Sequence, residues 1–338
     1  MKLLVLGGTH FLGRHLVDAA VTRGHDVTIF TRGRQPVPAR SGVTALTGDR
    51  DPRIAPGLAA LEEGTWDAVI DCSGYVPRVV ATGARLLAPR VSRYVFVSSM
   101  SVYASTERPH MDERTPVATL QDPDTEEVMQ NYGALKAACE STVDRIYGSR
   151  ATIVRPGLIV GPFDGSDRFG YWVARFVHPE LLGDRPARAV VPAPRERPLQ
   201  FIDARDLAAW MLDLATNDVA GAFNAGSPAW KWRMEDLVTA LVAASASPPR
   251  PAWIDDEQLV AHGVQSWVGL PLWLPPGEAD SAGFMAMDCS RAQKAGLSTR
   301  PLPQTIADTA TWLAARDNAR AWRHVLSADA ERALLADK

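Results

Sequence analysis

Leu3 to Leu6 form an unbroken apolar run that stops at glycine, the pattern of a short strand buried on both faces. From Phe11 to Thr22 the apolar residues Phe11, Leu12, Leu16, Val17 and Ala20 recur at helical spacing, and Asp26 to Phe30 reads as a second strand. Together these make a strand–helix–strand unit. The pattern predicts further strands at Val43 to Leu46, Ala68 to Asp71, Tyr94 to Ser98 and Thr152 to Val154, with helices at Val79 to Leu87 and Tyr132 to Tyr147. Such alternation predicts an α/β fold with a doubly wound, mostly parallel sheet covered by helices on both faces. A ligand would then sit beyond the carboxyl ends of the strands.

Past Pro156 the texture changes. Nine of the ten tryptophans lie beyond residue 150, and proline clusters at Pro186 to Pro198, Pro248 to Pro251 and Pro271 to Pro276. Helices are expected at Ala204 to Thr216, Met234 to Ala244 and Thr305 to Arg316. The apolar, proline-broken segment Val264 to Met287 fits a cap over a pocket, a dimer contact or a packed surface loop. A length of 338 residues suits two lobes at roughly 150 residues each. The expected division is 1–160, with 200–228 packing back onto it, and a second lobe over 161–338.

Composition narrows the partners. With 46% hydrophobic and 22% charged residues the chain is globular. A net charge of −3, from 36 basic against 39 acidic residues, provides no basic footprint for nucleic acid and no attraction to an anionic membrane, so a small molecule is the expected partner. Cys72, Cys139 and Cys289 are too far apart for a metal motif or a disulfide framework, which suggests no metal and a reducing cytoplasm. The N-terminus has no signal-peptide pattern and no stretch is apolar enough to span a bilayer. A monomer or homodimer is expected.

Between the first strand and helix stands Gly7-Gly8-Thr9-His10-Phe11-Leu12-Gly13. Gly7 suits the tight turn and Gly13 lets the helix pack closely on the strand, aiming its first amides at a pyrophosphate, as in a Rossmann-type dinucleotide fold. His10 stands where many such folds have their middle glycine. At the end of the second strand an acidic residue would accept the ribose hydroxyls of NAD, but the chain reads Thr31-Arg32-Gly33-Arg34. Two guanidinium groups there suit a 2′-phosphate, so NADP(H) is preferred over NAD(H), although arginines on a solvated surface would look the same. Asp49 and Arg50 follow the third strand, where Asp49 is placed to accept from an adenine amino group.

Ser98 and Ser99 tip the strand from Tyr94, followed by Met100 and Ser101, and Tyr132-Gly133-Ala134-Leu135-Lys136 comes later on a helix. Positions i and i+4 share a helix face, so the Lys136 ammonium is expected below the Tyr132 phenol, lowering its pKa. Tyr132 would then exchange a proton with a carbonyl or carbinol oxygen that Ser99 also bonds. With the glycine loop, these residues resemble the short-chain dehydrogenase/reductase superfamily in its extended or atypical form, the group of NAD(P)-dependent epimerases and dehydratases. The resemblance continues through Arg155-Pro156-Gly157-Leu158-Ile159-Val160-Gly161-Pro162, Phe201 to Ala208 and Phe223-Asn224-Ala225-Gly226. It implies Ser99, Tyr132 and Lys136 as catalytic residues. It also implies that Pro156, Gly157, Leu158 and Ile159 line the nicotinamide end, with Cys72 and Ser73 among the cofactor contacts. Substrate contacts are expected from Tyr75, Met100, Ser101, Asp164, Arg168 and Trp172, while Ser166 or Asp167 as an N-cap explains the same stretch.

Three departures from the family pattern shape the expected activity. Met100 and Ser101 replace the Asp-Glu pair of sugar 4,6-dehydratases. Leu199 falls where nucleotide-sugar epimerases hold a diphosphate with arginine, Arg197 being two residues away. His10 with Arg32 and Arg34 resembles atypical members that include plant-plastid proteins described as RNA-binding. The leading expectation is an NADPH-dependent reductase of a C=O or C=N group on a polar sugar-, cyclitol- or nucleoside-like metabolite. A nucleotide-sugar epimerase and a non-catalytic nucleotide- or RNA-binding protein are the alternatives.

Overall fold

The computed structural model describes the chain apart from residues 36, 38–40, 276, 278–282, 318–319 and 338, so Pro276 of the last proline cluster and part of the 264–287 segment lie outside the described residues. The elements begin β1 (Lys2–Leu6), α1 (Phe11–Thr22), β2 (Asp26–Thr31), β3 (Val43–Thr47), β4 (Trp66–Asp71), α2 (Pro77–Leu87), β5 (Val91–Val97), α3 (Val128–Tyr147) and β6 (Ala151–Pro156). They continue with β7 (Leu158–Val160), α4 (Arg168–Val177), β8 (Arg188–Pro192), β9 (Pro198–Leu199), β10 (Phe201–Asp203), α5 (Ala204–Thr216), β11 (Gly221–Ala225), β12 (Trp232–Arg233) and α6 (Met234–Ala244). Last come β13 (Arg250–Ile254), α7 (Asp256–Ala261), α8 (Ser290–Lys294), α9 (Leu302–Ala314) and α10 (Ala328–Ala336).

Seven strands form one parallel sheet in the order β11-β6-β5-β4-β1-β2-β3. The unbroken apolar run of β1 follows from burial on both faces. Leu3 and Val5 join the core made with α1 and α5, whereas Leu4 and Leu6 join the core made with α2 and α3. Each such buried side chain contributes about 1.5–3 kcal/mol. Order reverses beside β1, where β2 lies on one side and β4 on the other, so the loops after β1, β2 and β4 open at the same carboxyl edge. β11 pairs with β6 at the far edge, and α5 packs on the same face as α1.

A second core gathers α4, α6, α9 and three two-stranded ladders, β7 with β10, β9 with β12 and β8 with β13. α4 is buried almost all round, with Phe169, Tyr171, Trp172, Val173, Arg175 and Phe176 enclosed, the mark of a helix inside a core rather than on its surface. The described part of 264–287 supplies Leu270, Leu272, Trp273 and Met285 to this core. Buried Glu331 of α10 is paired with Arg175 at 2.9 Å and Arg185 at 3.3 Å. Among the described residues no helix is long and apolar enough to cross a membrane.

Candidate active site

A cavity of about 770 Å³ opens at the carboxyl edge of the sheet. One end is the glycine loop. Gly13 permits α1 to start there, since a Cβ at this position would stand 2.6 Å from the Gly8 backbone nitrogen. His10 is the N-cap of α1 but makes no side-chain cap, and the first turn holds no acidic residue. The positive end of the helix, with its first amides uncapped by a side chain, therefore borders the cavity, an arrangement that accepts an anion. Gly7, Thr9, Phe11 and Leu12 line the same end.

Arg32 and Arg34 follow β2, line the cavity, and have no ion-pair partner among the described residues. Their turn is held by Thr31, whose Oγ1 accepts from the Gly33 amide at 3.2 Å. Asp49 also lines the cavity, but one of its oxygens accepts from the Asp51 amide at 2.9 Å. Arg50 does something the sequence did not suggest. Its guanidinium grips fully buried Asp71 through two bonds of 2.5 and 2.7 Å, and Asp71 also accepts from the Tyr94 hydroxyl at 2.7 Å. Burial alone would lower the Arg50 pKa, yet Asp71 raises it, so this arginine is a buried strut whose edge reaches the cavity wall. Ser73 likewise donates its hydroxyl to the Leu6 carbonyl at 3.1 Å while lining the cavity, and burial pushes the Cys72 thiol up to about 12.

At the other end, α3 departs from helical geometry at Asn131, directly before Tyr132. The next residue, Gly133, lies against the turn after β5, where any Cβ would overlap the Ser101 carbonyl oxygen. Ser99 caps that turn, its Oγ accepting from the Ser101 amide at 3.0 Å, and its hydroxyl lies near enough to the Tyr132 phenol to lower the phenol pKa. Burial raises the phenol pKa more than the Ser99 hydroxyl lowers it. The expectation that Lys136 depresses the phenol is therefore corrected. The Lys136 ammonium is held by the Gly74 and Val97 carbonyls at 2.7 and 2.6 Å, with the Phe96 ring at 4.2 Å and the Tyr75 ring at 5.2 Å. This enclosure lowers its own pKa to about 8. Tyr75 lines the cavity beside Tyr132, with ring centroids 6.4 Å apart.

Pro156, Gly157 and Ile159 close the floor, while Leu158 packs on the second core instead. Met100 is buried behind Gly157, and Ser101 contributes backbone to the Ser99 turn. Three expected substrate contacts are placed elsewhere. Trp172 is enclosed in the second core, its indole donating to the Pro271 carbonyl at 3.0 Å, because α4 is buried on every side. Asp164 turns inward on Ser166, and Arg168 contacts His324, so neither lines the cavity. Asp167 is the N-cap residue of α4, but its carboxylate goes to Arg316 rather than to the helix. Arg197 is tied to Asp256 at 2.5 Å and to the Leu274 and Ala193 carbonyls, which removes it as a stand-in for a diphosphate arginine. Sequence reasoning missed Ser98, whose buried hydroxyl lines the cavity without a partner; the doubled serine at the strand tip was its signal. It also missed Val79 and Gln35 in the wall, for which the sequence carries no signal.

The model of the NAD dependent epimerase/dehydratase family matches residues 3–226. A chloroplast stem-loop binding protein of 41 kDa from Arabidopsis thaliana is 28% identical over 235 residues, 65% of this chain and 56% of that protein. A 2-alkyl-3-oxoalkanoate reductase from Stenotrophomonas maltophilia is 32% identical over 179 residues, 48% of this chain and 52% of that protein. The chain thus spans about half the length of these curated relatives. Among solved structures, the Bordetella bronchiseptica enzyme WbmH in complex with NAD+ shares the fold with a TM-score of 0.65 at 18% identity, covering 93% of this chain and 98% of that one. With the family model matched over residues 3–226, the chain belongs to the NAD dependent epimerase/dehydratase family.

Proposed function

We propose that this protein is an NADPH-dependent reductase of a C=O or C=N group on a small polar metabolite, sugar-, cyclitol- or nucleoside-like in character. The observation that carries this reading is one cavity with two arginines after β2, neither ion-paired among the described residues, at one end and Ser99, Tyr132 and Lys136 at the other. On this reading residues 1–160 with 200–228 form the cofactor half, and the rest of 161–338 carries the substrate.

The residues fit the cofactor. The uncapped start of α1 suits a pyrophosphate, and Arg32 with Arg34 suits a 2′-phosphate through charge-assisted bonds. The orphaned Ser98 hydroxyl and the third Lys136 proton suit groups at the ribose and nicotinamide end. When bound, the cofactor supplies a hydride. Tyr132 donates the proton to the substrate oxygen or nitrogen; its phenol is protonated at neutral pH, the state a proton donor needs, and partial burial raises its pKa further. Ser99 orients the reacting atom and stabilises the phenolate left behind. The kinship with a reductase supports the direction of reaction.

The test is titration of NADPH and NADH against wild type and an Arg32→Ala/Arg34→Ala variant. NADPH should bind more tightly to wild type, and the double change should remove about 1.5–3 kcal/mol of that preference. Equal affinities for both cofactors in wild type would overturn the assignment. Turnover with deuteride-labelled NADPH should leave one deuterium in the product and should fall about 10²–10⁴-fold in Tyr132→Phe with cofactor binding unchanged. An unlabelled isomer formed without cofactor consumption would point to an epimerase.

A further inference from the structure

Lys136 is only 3% exposed, although it lines the cavity. The carbonyls of Gly74 and Val97 take two N–H groups of its ammonium, and the Phe96 ring closes the inner side at 4.2 Å. Gly74, Val97 and Phe96 are all buried. Tyr75 is different. Its ring lies 5.2 Å from the same nitrogen, yet the residue is 45% exposed and belongs to the cavity wall. The ring therefore stands between the ammonium and the open cavity, with Tyr132 on its flank. The backbone puts it there. At Gly74 a Cβ would stand 2.5 Å from the Phe96 ring, so the chain presses close on β5 and brings the next side chain over the lysine. Among the described residues no hydrogen bond holds the Tyr75 hydroxyl, so its place rests on the ring.

A ring beside an ammonium acts in two opposing ways. Its π face attracts the cation, while its bulk keeps water away and so penalises the charge. At 5.2 Å the nitrogen is near the outer limit of about 6 Å for the attraction, so the exclusion of water is the larger effect. The other groups that act on this nitrogen are already engaged. Asp71 is gripped by Arg50 and Tyr94, and Glu140 by Arg155. Burial pushes the Cys72 and Cys139 thiols up to about 12, which leaves both neutral, and raises the Tyr132 phenol. Changing Tyr75 breaks none of these pairs.

We propose that Tyr75 is a positioning residue for Lys136: its ring keeps water off the ammonium, so that the N–H left free by the two carbonyls is offered to a cofactor in the cavity rather than to solvent. The first half stands on the free protein, and only the second rests on the cofactor reading. The chain has five lysines, at positions 2, 136, 231, 294 and 338. Protein labelled with carbon-13 in its lysine side chains therefore gives few signals by NMR, and that of Lys136 is the one lost in Lys136→Met. Followed against pH, it should titrate near the value of about 8 in wild type and in Tyr75→Phe. Tyr75→Ala, and Tyr75→Gln as a second opened variant, should raise this pKa by at least about one unit, a tenfold change in the protonation equilibrium. Tyr75→Leu keeps an apolar cover without a π face, so there the pKa should stay or fall. The other four signals, holding their positions, report an intact fold. An unchanged titration in Tyr75→Ala and Tyr75→Gln would overturn the proposal. So would a rise in Tyr75→Leu as large as that in Tyr75→Ala, or a wild-type Lys136 that titrates with the other lysines. NADPH titrated over the same pH range tests the second half: its affinity should fall as Lys136 loses its proton, and at higher pH in Tyr75→Ala. A shifted lysine titration without NADPH binding would overturn the cofactor reading and that half with it, whereas a titration indifferent to Tyr75 overturns the first half whatever NADPH does.

Discussion

Gly133 and Gly83 form a matched pair for testing how the site is assembled. Both lie inside helices, where alanine in place of glycine is ordinarily worth about 0.8–1.0 kcal/mol. At Gly83 an added methyl would meet only the tip of Arg50 at 4.0 Å, so Gly83→Ala should realise that gain. At Gly133 the methyl would overlap the Ser101 carbonyl oxygen, which belongs to the backbone and cannot swing aside. Overpacking of this kind costs about 1–3 kcal/mol, so the helix gain should be cancelled or exceeded, leaving Gly133→Ala up to about 2 kcal/mol less stable than wild type. The functional consequence should be larger than the thermodynamic one. Relieving the overlap pushes α3 away from the turn that carries Ser99, and a displacement of about 1 Å between cooperating groups can cost about 10²-fold in rate. Denaturant midpoints of both variants measure the first effect, and single-turnover NADPH oxidation measures the second. If Gly133→Ala is stabilised as much as Gly83→Ala and reacts at the wild-type rate, the tight seating of α3 on the Ser99 turn plays no part in catalysis.

Lys136 should leave a signature in the pH dependence of stability. Its folded pKa, about 8, lies below the ordinary lysine value of 10.5, so between these values the unfolded chain holds a proton that the folded one has lost. Stability therefore rises with pH through that window, and in denaturant titrations this rise should be absent from Lys136→Met. The Arg155 and Glu140 pair, enclosed between β6 and α3, should be costly to break: Glu140→Gln is expected to lose about 3–5 kcal/mol, whereas Arg155→Met/Glu140→Leu should lose much less than the two single changes added together, as a double-mutant cycle would record.

The part of the chain that builds the parallel sheet was legible because its elements carry the two clear periods. The predicted span at Ala204 to Thr216 coincides with α5 and the strand expected at Val43 to Leu46 is β3, while of the second core only α6, at Met234 to Ala244, was read with its bounds. Around the second core the pattern fails for a physical reason. β9 and β12 are two residues long and β7 and β10 three, too short to show alternation, and α4 is buried on almost every face, Arg175 included, so nothing in its sequence tells a core-filling Trp172 from a ligand contact. Site electrostatics were hidden differently. Lys136 is positioned by the carbonyls of Gly74 and Val97, groups every residue has, and Arg50 is claimed by Asp71 across 21 positions of chain.

The turn after β2 has a consequence for how such a protein can change over time. Arg32 and Arg34 stand at the surface and, among the described residues, hold no other charged group in place. If they read the cofactor as proposed, replacing them disturbs no packed neighbour among the described residues, and a lineage could exchange one cofactor pool for another there through a few substitutions that leave the melting temperature alone. Arg50, a short way along the chain, has no such liberty, because its departure strands the buried charge of Asp71 beside Tyr94. Adaptability and constraint are thus housed in arginines that the same cavity displays side by side.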